Sequence, residues 1–284
     1  MATGYKIKTY QNLSSFTLCS EHFWKRKESL NSLFWEITSR SFEKHQDLAC
    51  GNVFKNGLLC SSFIRLHSNY LMLSTGHKNA LGSISSYIKR KKWVLKGVLG
   101  PDENTEYFSQ IWHEESDFLH EINKKFFYVF ETSGVLNDLF RDRILSCSLV
   151  KAKESDWPRI RVWAGKFASE SVARNTEFET VKLARQMLES GTMFMLKRNS
   201  ESIAMAGFGR KTQKSLVINM VYVQEEQRGN GFAKKIVIEM NKIAESLGFK
   251  RCVLFSDQNL EENLYKRMGC KLVGKFSEIS FEEF

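Results

Sequence analysis

Two prolines in 284 residues, with no stretch dense in glycine or serine, exclude a collagen-like chain, a mucin-type stalk and a flexible linker protein. A run of about 18 apolar residues is also missing, so no transmembrane helix is expected. Residues 1–30 lack the apolar stretch and small-residue cleavage site of a secretory signal. No CxxC occurs: Cys19, Cys50, Cys60, Cys147, Cys252 and Cys270 are scattered, and the six histidines do not flank them. That spacing suits free thiols in a reducing compartment, so a cytoplasmic protein without a structural metal is expected.

What is present fits a globular protein. Hydrophobic residues make up 42% and charged residues 26%, close to the globular averages of about 45–50% and about 25%. The net charge is +10. The densest basic run is Lys89-Arg90-Lys91-Lys92, just before Trp93. It reads as a solvated loop entering a strand rather than a nucleic-acid surface, although a basic chain suits an anionic small ligand.

The length suggests two modest domains, divided by pattern at 145/146. In 1–145, Phe34, Ile37 and Phe42 mark part of an amphipathic helix. Leu58–Arg65, Tyr70–Ser74, Trp93–Leu99 and Phe126–Phe130 read as strands, and Asn104–Glu121 as a helix carrying Tyr107, Phe108, Ile111, Trp112 and Leu119. In 146–284 the pattern is clearer. Leu145–Val150 opens it as a strand. A helix beginning near Pro158 places Trp163, Phe167 and Glu170 on one face, and a second spans Phe178–Glu189. Strands come next at Thr192–Lys197, Ser202–Arg210 and Ser215–Val223. Then come a helix over Gly231–Leu247, a strand over Arg251–Phe255, a helix over Glu261–Met268 and a last strand within Cys270–Phe281.

The most informative stretch is Val221-Tyr222-Val223, running through a polar turn into Arg228-Gly229-Asn230-Gly231-Phe232-Ala233 and a helix. Glycines let backbone approach a ligand closely. The first helical amides have no intrahelical acceptor, and their partial positive charge favours an anion such as a pyrophosphate. Arg228, Lys234 and Lys235 add charge. Neither the GxGxxG spacing nor a Walker loop is present.

This stretch resembles the acyl-CoA pyrophosphate loop of the GNAT superfamily of N-acetyltransferases. Val221-Tyr222-Val223 stands where that family's strand splays and bonds the pantetheine arm. Leu254–Asn259 resembles the next strand and its exit loop, and Tyr265-Lys266-Arg267-Met268-Gly269-Cys270 resembles a Tyr-x-x-x-Gly-Phe segment with cysteine as the last residue. Trp163-x-x-x-Phe167-x-x-Glu170 is similar to the first helix of a two-domain, bacterial-type branch, which the first half also resembles at Lys96–Pro101. The resemblance covers 146–284 well and 1–145 weakly. It implies an α/β (α+β) fold, with a mixed, mostly antiparallel sheet flanked by helices. It further implies a catalytic second domain and a degenerate, non-catalytic first domain that walls off the acceptor cleft.

The implied activity is transfer of an acetyl group from acetyl-CoA to a primary amine by direct attack in a ternary complex. The resemblance assigns cofactor contacts to Val221, Tyr222, Val223, Arg228, Gly229, Asn230, Gly231, Phe232 and Ala233, with Asn259 and Asn263 as candidates for the CoA arm. The amides near Tyr222 and Val223 are the expected oxyanion donors, and Tyr265 the general acid. Where many relatives carry a glutamate, this chain has Asn219, so Glu170 and Glu278 are the candidate bases. No histidine comes after His120, and covalent catalysis through Cys252 or Cys270 is not expected. An acyl-CoA:amino-acid N-acyltransferase, similar to glycine N-acyltransferases, and a non-catalytic acyl-CoA sensor or interaction module remain as alternatives. The expected partner is a small-molecule or peptide amine, with no nucleic acid and no membrane. The sequence leaves monomer and homodimer open.

Overall fold

Strand β9 (Glu201–Lys211) shows how an apolar run serves two faces. Ala204, Ala206 and Phe208 pack with Ile236 and Met240 of helix α7 (Phe232–Ser246), while Met205 packs with Trp163 and Met187. Successive strand residues point to opposite faces, so a strand covered on both sides needs apolar residues throughout. The structure is a computed structural model that describes residues 4–39, 48–114, 120–132, 147–171 and 176–283. The expected positions Phe42, Leu119 and Leu145, and the division at 145/146, lie outside them.

Two compact units make up the chain. One holds 1–127 with 274–284 and the other holds 128–273. In the second unit the chain runs through β7 (Cys147–Lys151), α5 (Trp157–Glu170), α6 (Glu177–Glu189), β8 (Met193–Arg198), β9, β10 (Ser215–Val223), α7, β11 (Arg251–Ser256) and α8 (Leu264–Arg267). Strands β7 to β10 are antiparallel neighbours, and β10 runs parallel to β11 after the crossover through α7. The last position is filled by the end of β6 (His120–Glu131), whose Tyr128–Glu131 pair antiparallel with Ser256–Val253.

The first unit has the same plan. It contains β1 (Tyr5–Tyr10), α1 (Leu13–Trp24), α2 (Ser32–Ser39), β2 (Ala49–Lys55), β3 (Leu58–Arg65), β4 (Tyr70–Leu73), α3 (Lys78–Arg90), β5 (Gly97–Pro101) and α4 (Asp102–Glu114). Strands β1 to β4 are antiparallel, β4 is parallel to β5, and β5 pairs antiparallel with Phe276–Ser280 of β12 (Lys271–Glu283). Each unit is therefore a strand, two helices, three antiparallel strands, a helix, a parallel strand, a helix and a final antiparallel strand. The fold is the mixed, mostly antiparallel sheet with flanking helices, twice over.

The final strands are exchanged. β6 comes after the first unit's α4 in the chain, yet its end completes the second sheet. β12 comes after the second unit's α8, yet its end completes the first. The compact units thus divide at 127/128 and 273/274 instead of at 145/146. Hydrogen-bond partners, not chain order, decide which sheet a strand joins.

Three local expectations shift. The basic run is the end of α3, not a loop: Lys89 and Arg90 lie in its last turn, where cations meet the negative end of the helix dipole. Lys92 then turns left-handed at φ 55°, and β5 starts only at Gly97. The helix expected over 261–268 shrinks to α8, because the Asn263 side chain takes the amides of Tyr265 and Lys266 and starts the helix there.

Candidate active site

The site is built on a defect in β10. Its register with β9 runs Ile218 to Phe208 and Asn219 to Gly207, then resumes at Tyr222 to Met205. β10 advances three residues while β9 advances two, which is a β-bulge. The bulge falls at Met220, a non-glycine residue at φ 52°. Its amide donates to the Asn219 Oδ1 at 2.8 Å. An extra residue reverses the facing of every residue beyond it in the strand. Leu216 and Ile218 pack with α7, whereas Met220 and Tyr222 pack beside Trp163.

Past the bulge β10 leaves its other neighbour. Its pairing with β11 covers only Ser215–Val217. The Gln224 amide bonds the Ile203 carbonyl at 3.1 Å, so by alternation Tyr222 also directs its backbone groups to β9. Val221 and Val223 direct theirs to the opened side. Of the amides expected to serve as oxyanion donors, near Tyr222 and Val223, that of Tyr222 serves the sheet and that of Val223 faces the opened side. The Val223 carbonyl accepts from Arg228 Nε at 3.1 Å.

The loop after β10 supplies an anion cradle. Gly229 and Gly231 are both left-handed at φ 79°, and Gly231 is the N-cap of α7. An L side chain resists this conformation, so both positions favour glycine. Among the described residues, no backbone acceptor takes the amides from Gly229 to Ala233. Asn230 steadies the turn by donating to the Gln227 and Arg228 carbonyls at 3.1 and 3.3 Å. The Phe232 side chain is buried in the core and offers only its backbone to the cradle. Ala233 is half-buried.

The cations near the cradle are mostly engaged. Arg228 forms a bidentate pair with Glu170, at 2.8 and 2.9 Å, with its guanidinium 5.4 Å from the Tyr222 ring centre. Lys235 pairs with Glu239 along the helix at 3.0 Å. Burial lowers the Lys234 ammonium from its ordinary value. The cradle is thus mainly main chain. Lys166 and Glu170, four apart on α5, reach Glu225 and Arg228 and tie the helix to the loop at two points. Glu170 is a partner of Arg228 here, not a free carboxylate.

Tyr265 lies on α8, half-buried against the α7 side of the core. Its ring meets Phe130 edge-on at 5.9 Å. Burial first, then the neighbouring Cys270 and Asp257, raises its phenol above the ordinary value. Its hydroxyl has no hydrogen-bond partner among the described residues. A phenol held protonated is a donor, not a base.

The two asparagines part company. Asn263 is fully buried. Its Oδ1 accepts from Tyr265 and Lys266, and its Nδ2 donates to Ser256 Oγ and the Gln258 carbonyl. Its hydrogen-bonding capacity is used up inside the protein, so it caps α8 and is set aside as a CoA contact. Asn259 stays exposed. Glu278 belongs to the first unit, opposite Leu99 in the β5–β12 pair. Cys252 and Cys270 are buried thiols pushed up to about 12 by desolvation, which keeps them out of the thiolate form.

Among the described residues of the first unit, the matching loop makes no such cradle. That loop is Ser74–His77, between β4 and α3, not the Gly97–Pro101 segment suggested by sequence. The amides of Ser74 and His77 bond β3 carbonyls, and that of Thr75 bonds Asn31 Oδ1 at 2.9 Å. A Cβ on Gly76 would lie 2.3 Å from the Cys60 carbonyl oxygen, so no ligand backbone fits there either. Sequence reasoning also missed the bulge and the Arg228–Glu170 pair. Asn219 next to a run of apolar strand residues was the available signal for the first, and the second had none.

A parallel strand, a bulged and splayed neighbour and a glycine turn opening a crossover helix make up the second unit's site. Residues 157–270 match the acetyltransferase (GNAT) family. The match supports acyl transfer from acetyl-CoA in general terms. Solved structures extend the likeness to both units. An acetyltransferase of the GNAT family from Colwellia psychrerythraea shares 14% identity at a TM-score of 0.60, covering 98% of this chain and 100% of that one. A GCN5-related N-acetyltransferase from Sphaerobacter thermophilus shares 8% at 0.58, covering 100% and 98%. A tandem GNAT protein from the clavulanic acid biosynthesis pathway shares 10% at 0.54, covering 98% of each. At these identities the likeness is one of fold. No curated protein matches the chain. Among the described residues, no helix is long and apolar enough to cross a membrane, and no group of three metal-binding side chains occurs.

Proposed function

We propose that the second unit transfers an acetyl group from acetyl-CoA to a primary amine. The observation that carries this reading is the row of amides from Gly229 to Ala233, which no backbone acceptor among the described residues takes, at a left-handed glycine turn. Such a row suits a pyrophosphate, which needs several donors and a positive helix end. The opened edge at Val221 and Val223 suits an extended amide-bearing arm, which would add to the strand as a β-partner. Acetyl-CoA supplies the activated acyl group as a thioester. Val221 and Val223 offer amides to the charge that develops on the acyl oxygen. Tyr265, protonated and without another partner, donates to the departing sulfur. Attack by a neutral amine needs no acyl-enzyme.

A second reading is a non-catalytic acyl-CoA binder. Position 219 is an amide and Glu170 is held by Arg228, so neither position offers a free carboxylate as base. The two readings share the cradle and differ in turnover.

Calorimetric titration with acetyl-CoA tests the cradle. Gly231→Glu places a side chain at φ 79° and an anion at the helix end. Wild-type binding in the micromolar range, weakened about hundredfold or more in the variant, is expected. No binding by the wild type would overturn the proposal. Thiol release with a panel of amines then separates enzyme from binder.

A further inference from the structure

The side chain of Asn219 is oriented by its own backbone. The Met220 amide donates to Oδ1 at 2.8 Å. An N–H cannot donate to an NH2 group, so this bond settles which end of the amide is oxygen. The Nδ2 group therefore presents its two donors outward, and no partner takes them among the described residues. The bulge matters here. It turns Tyr222 to the face that Asn219 already holds by alternation, the face of Trp163.

β9 contributes Gly207 and Gly209 to this face; Met187 covers Gly207, its Sδ 2.8 Å from where a Cβ would stand, and the space is at Gly209. Nδ2 lies 3.7 Å from where a Gly209 Cβ would stand, and Met187 Cε lies 3.7 Å from the same point. Gly209 is itself exposed. An unpaired amide donor thus stands over a glycine floor, edged by a flexible thioether that adapts to different shapes.

We propose that Asn219 is a specificity-determining residue that selects amine acceptors carrying a carboxylate next to the amine, as in an α-amino acid. This rests on the acetyl-CoA reading above and names its substrate class. A carboxylate satisfies the outward donors and gains a charge-assisted hydrogen bond, whereas a plain alkylamine leaves those donors unpaired. A carboxylate at position 219 would repel the same acceptor.

The test uses the full-length protein with acetyl-CoA and matched acceptors: phenylalanine against 2-phenylethylamine, and leucine against 3-methylbutylamine. Thiol release gives kcat/KM, and saturation-transfer NMR reports acceptor binding in the presence of CoA. The wild type should prefer the amino acid by about tenfold or more. Asn219→Ala should reduce that preference to within about threefold, chiefly through KM. Asn219→Asp keeps an oxygen for the Met220 amide and should reverse the preference. The acetyl-CoA dissociation constant should stay within about twofold in both variants, which a general loss of structure would not allow. The inference is overturned if the wild type prefers the decarboxylated amine, if either variant keeps the wild-type preference, or if the protein binds acetyl-CoA but neither binds nor acetylates either amino acid. Failure to bind acetyl-CoA at all overturns the cofactor reading instead.

Discussion

A phenol and a carboxylate mark the residue scale. Tyr265 sits against Phe130 with burial raising its proton affinity, so its hydroxyl stays neutral through the physiological range and keeps a proton to donate. Tyr265→Phe is expected to lower kcat about hundredfold or more, with acetyl-CoA affinity held. With the phenol raised above its ordinary value, this group should impose no decline in kcat up to about pH 10. Steady-state rates across pH check both; an undiminished kcat in the variant would remove Tyr265 from the chemistry. Glu170 shows the opposite case. Its place on the helix face is readable from spacing, but its bond to Arg228 depends on a residue 58 positions away.

At the scale of elements, the junction of α4 with β12 in the first unit is held by one buried carboxylate. Asp102, at the first position of α4, accepts from Lys124 at 2.7 Å and from the buried hydroxyl of Ser277. Burial raises the Asp102 carboxyl, but the bonds from Lys124 and Ser277 outweigh it and hold the group below its ordinary value. A depressed carboxyl contributes stability above the unfolded value of about 3.9, and that contribution is lost as pH falls through the folded value. Asp102→Asn is expected to cost about 1–3 kcal/mol at pH 7. The deficit should shrink as pH falls below the unfolded value of about 3.9 and through the lower folded value. Thermal melts across that range test this; a deficit that grows on acidification would contradict the assignment.

The whole molecule is two copies of one plan with exchanged final strands. Because Tyr128–Glu131 complete the second sheet, the self-contained segment is 128–273, not 146–284. The fragment 128–273 is expected to melt cooperatively and bind acetyl-CoA. The fragment 146–284 lacks the strand beside β11 and carries the β12 residues that pair with β5, leaving an open edge of unpaired backbone groups. It should aggregate or lack a cooperative transition. Circular dichroism melts of both fragments decide; a cooperative 146–284 would mean that the exchange does not govern folding.

Much of the second unit was legible because its signals are local. Apolar runs between polar turns marked β8, β9 and β10, a helical stripe marked α7, and glycines marked the turn between β10 and α7. Helix α3 was missed because serines dilute its apolar face, leaving Ala80, Leu81, Ile84 and Ile88 among Ser83, Ser85 and Ser86. Asn263 looked like a ligand contact by position and proved a helix cap, because a hydrogen-bond inventory exists only once the neighbours are in place.

In the second unit the sequence alone determined the order of strands and helices and the glycine turn, since these arise from patterning and backbone freedom over a few residues; the class of fold and the role of Tyr265 came from the resemblance. The tertiary structure decided the rest. Pairing partners far apart in the chain set which final strand completes each sheet. One extra residue at Met220 turned Tyr222 to the face that Asn219 holds and freed the edge at Val221 and Val223. The first unit's loop spends its amides on β3 and Asn31, while no backbone acceptor among the described residues takes those of the second from Gly229 to Ala233. Each of these depends on where a donor's acceptor lies in space, which short-range pattern does not encode.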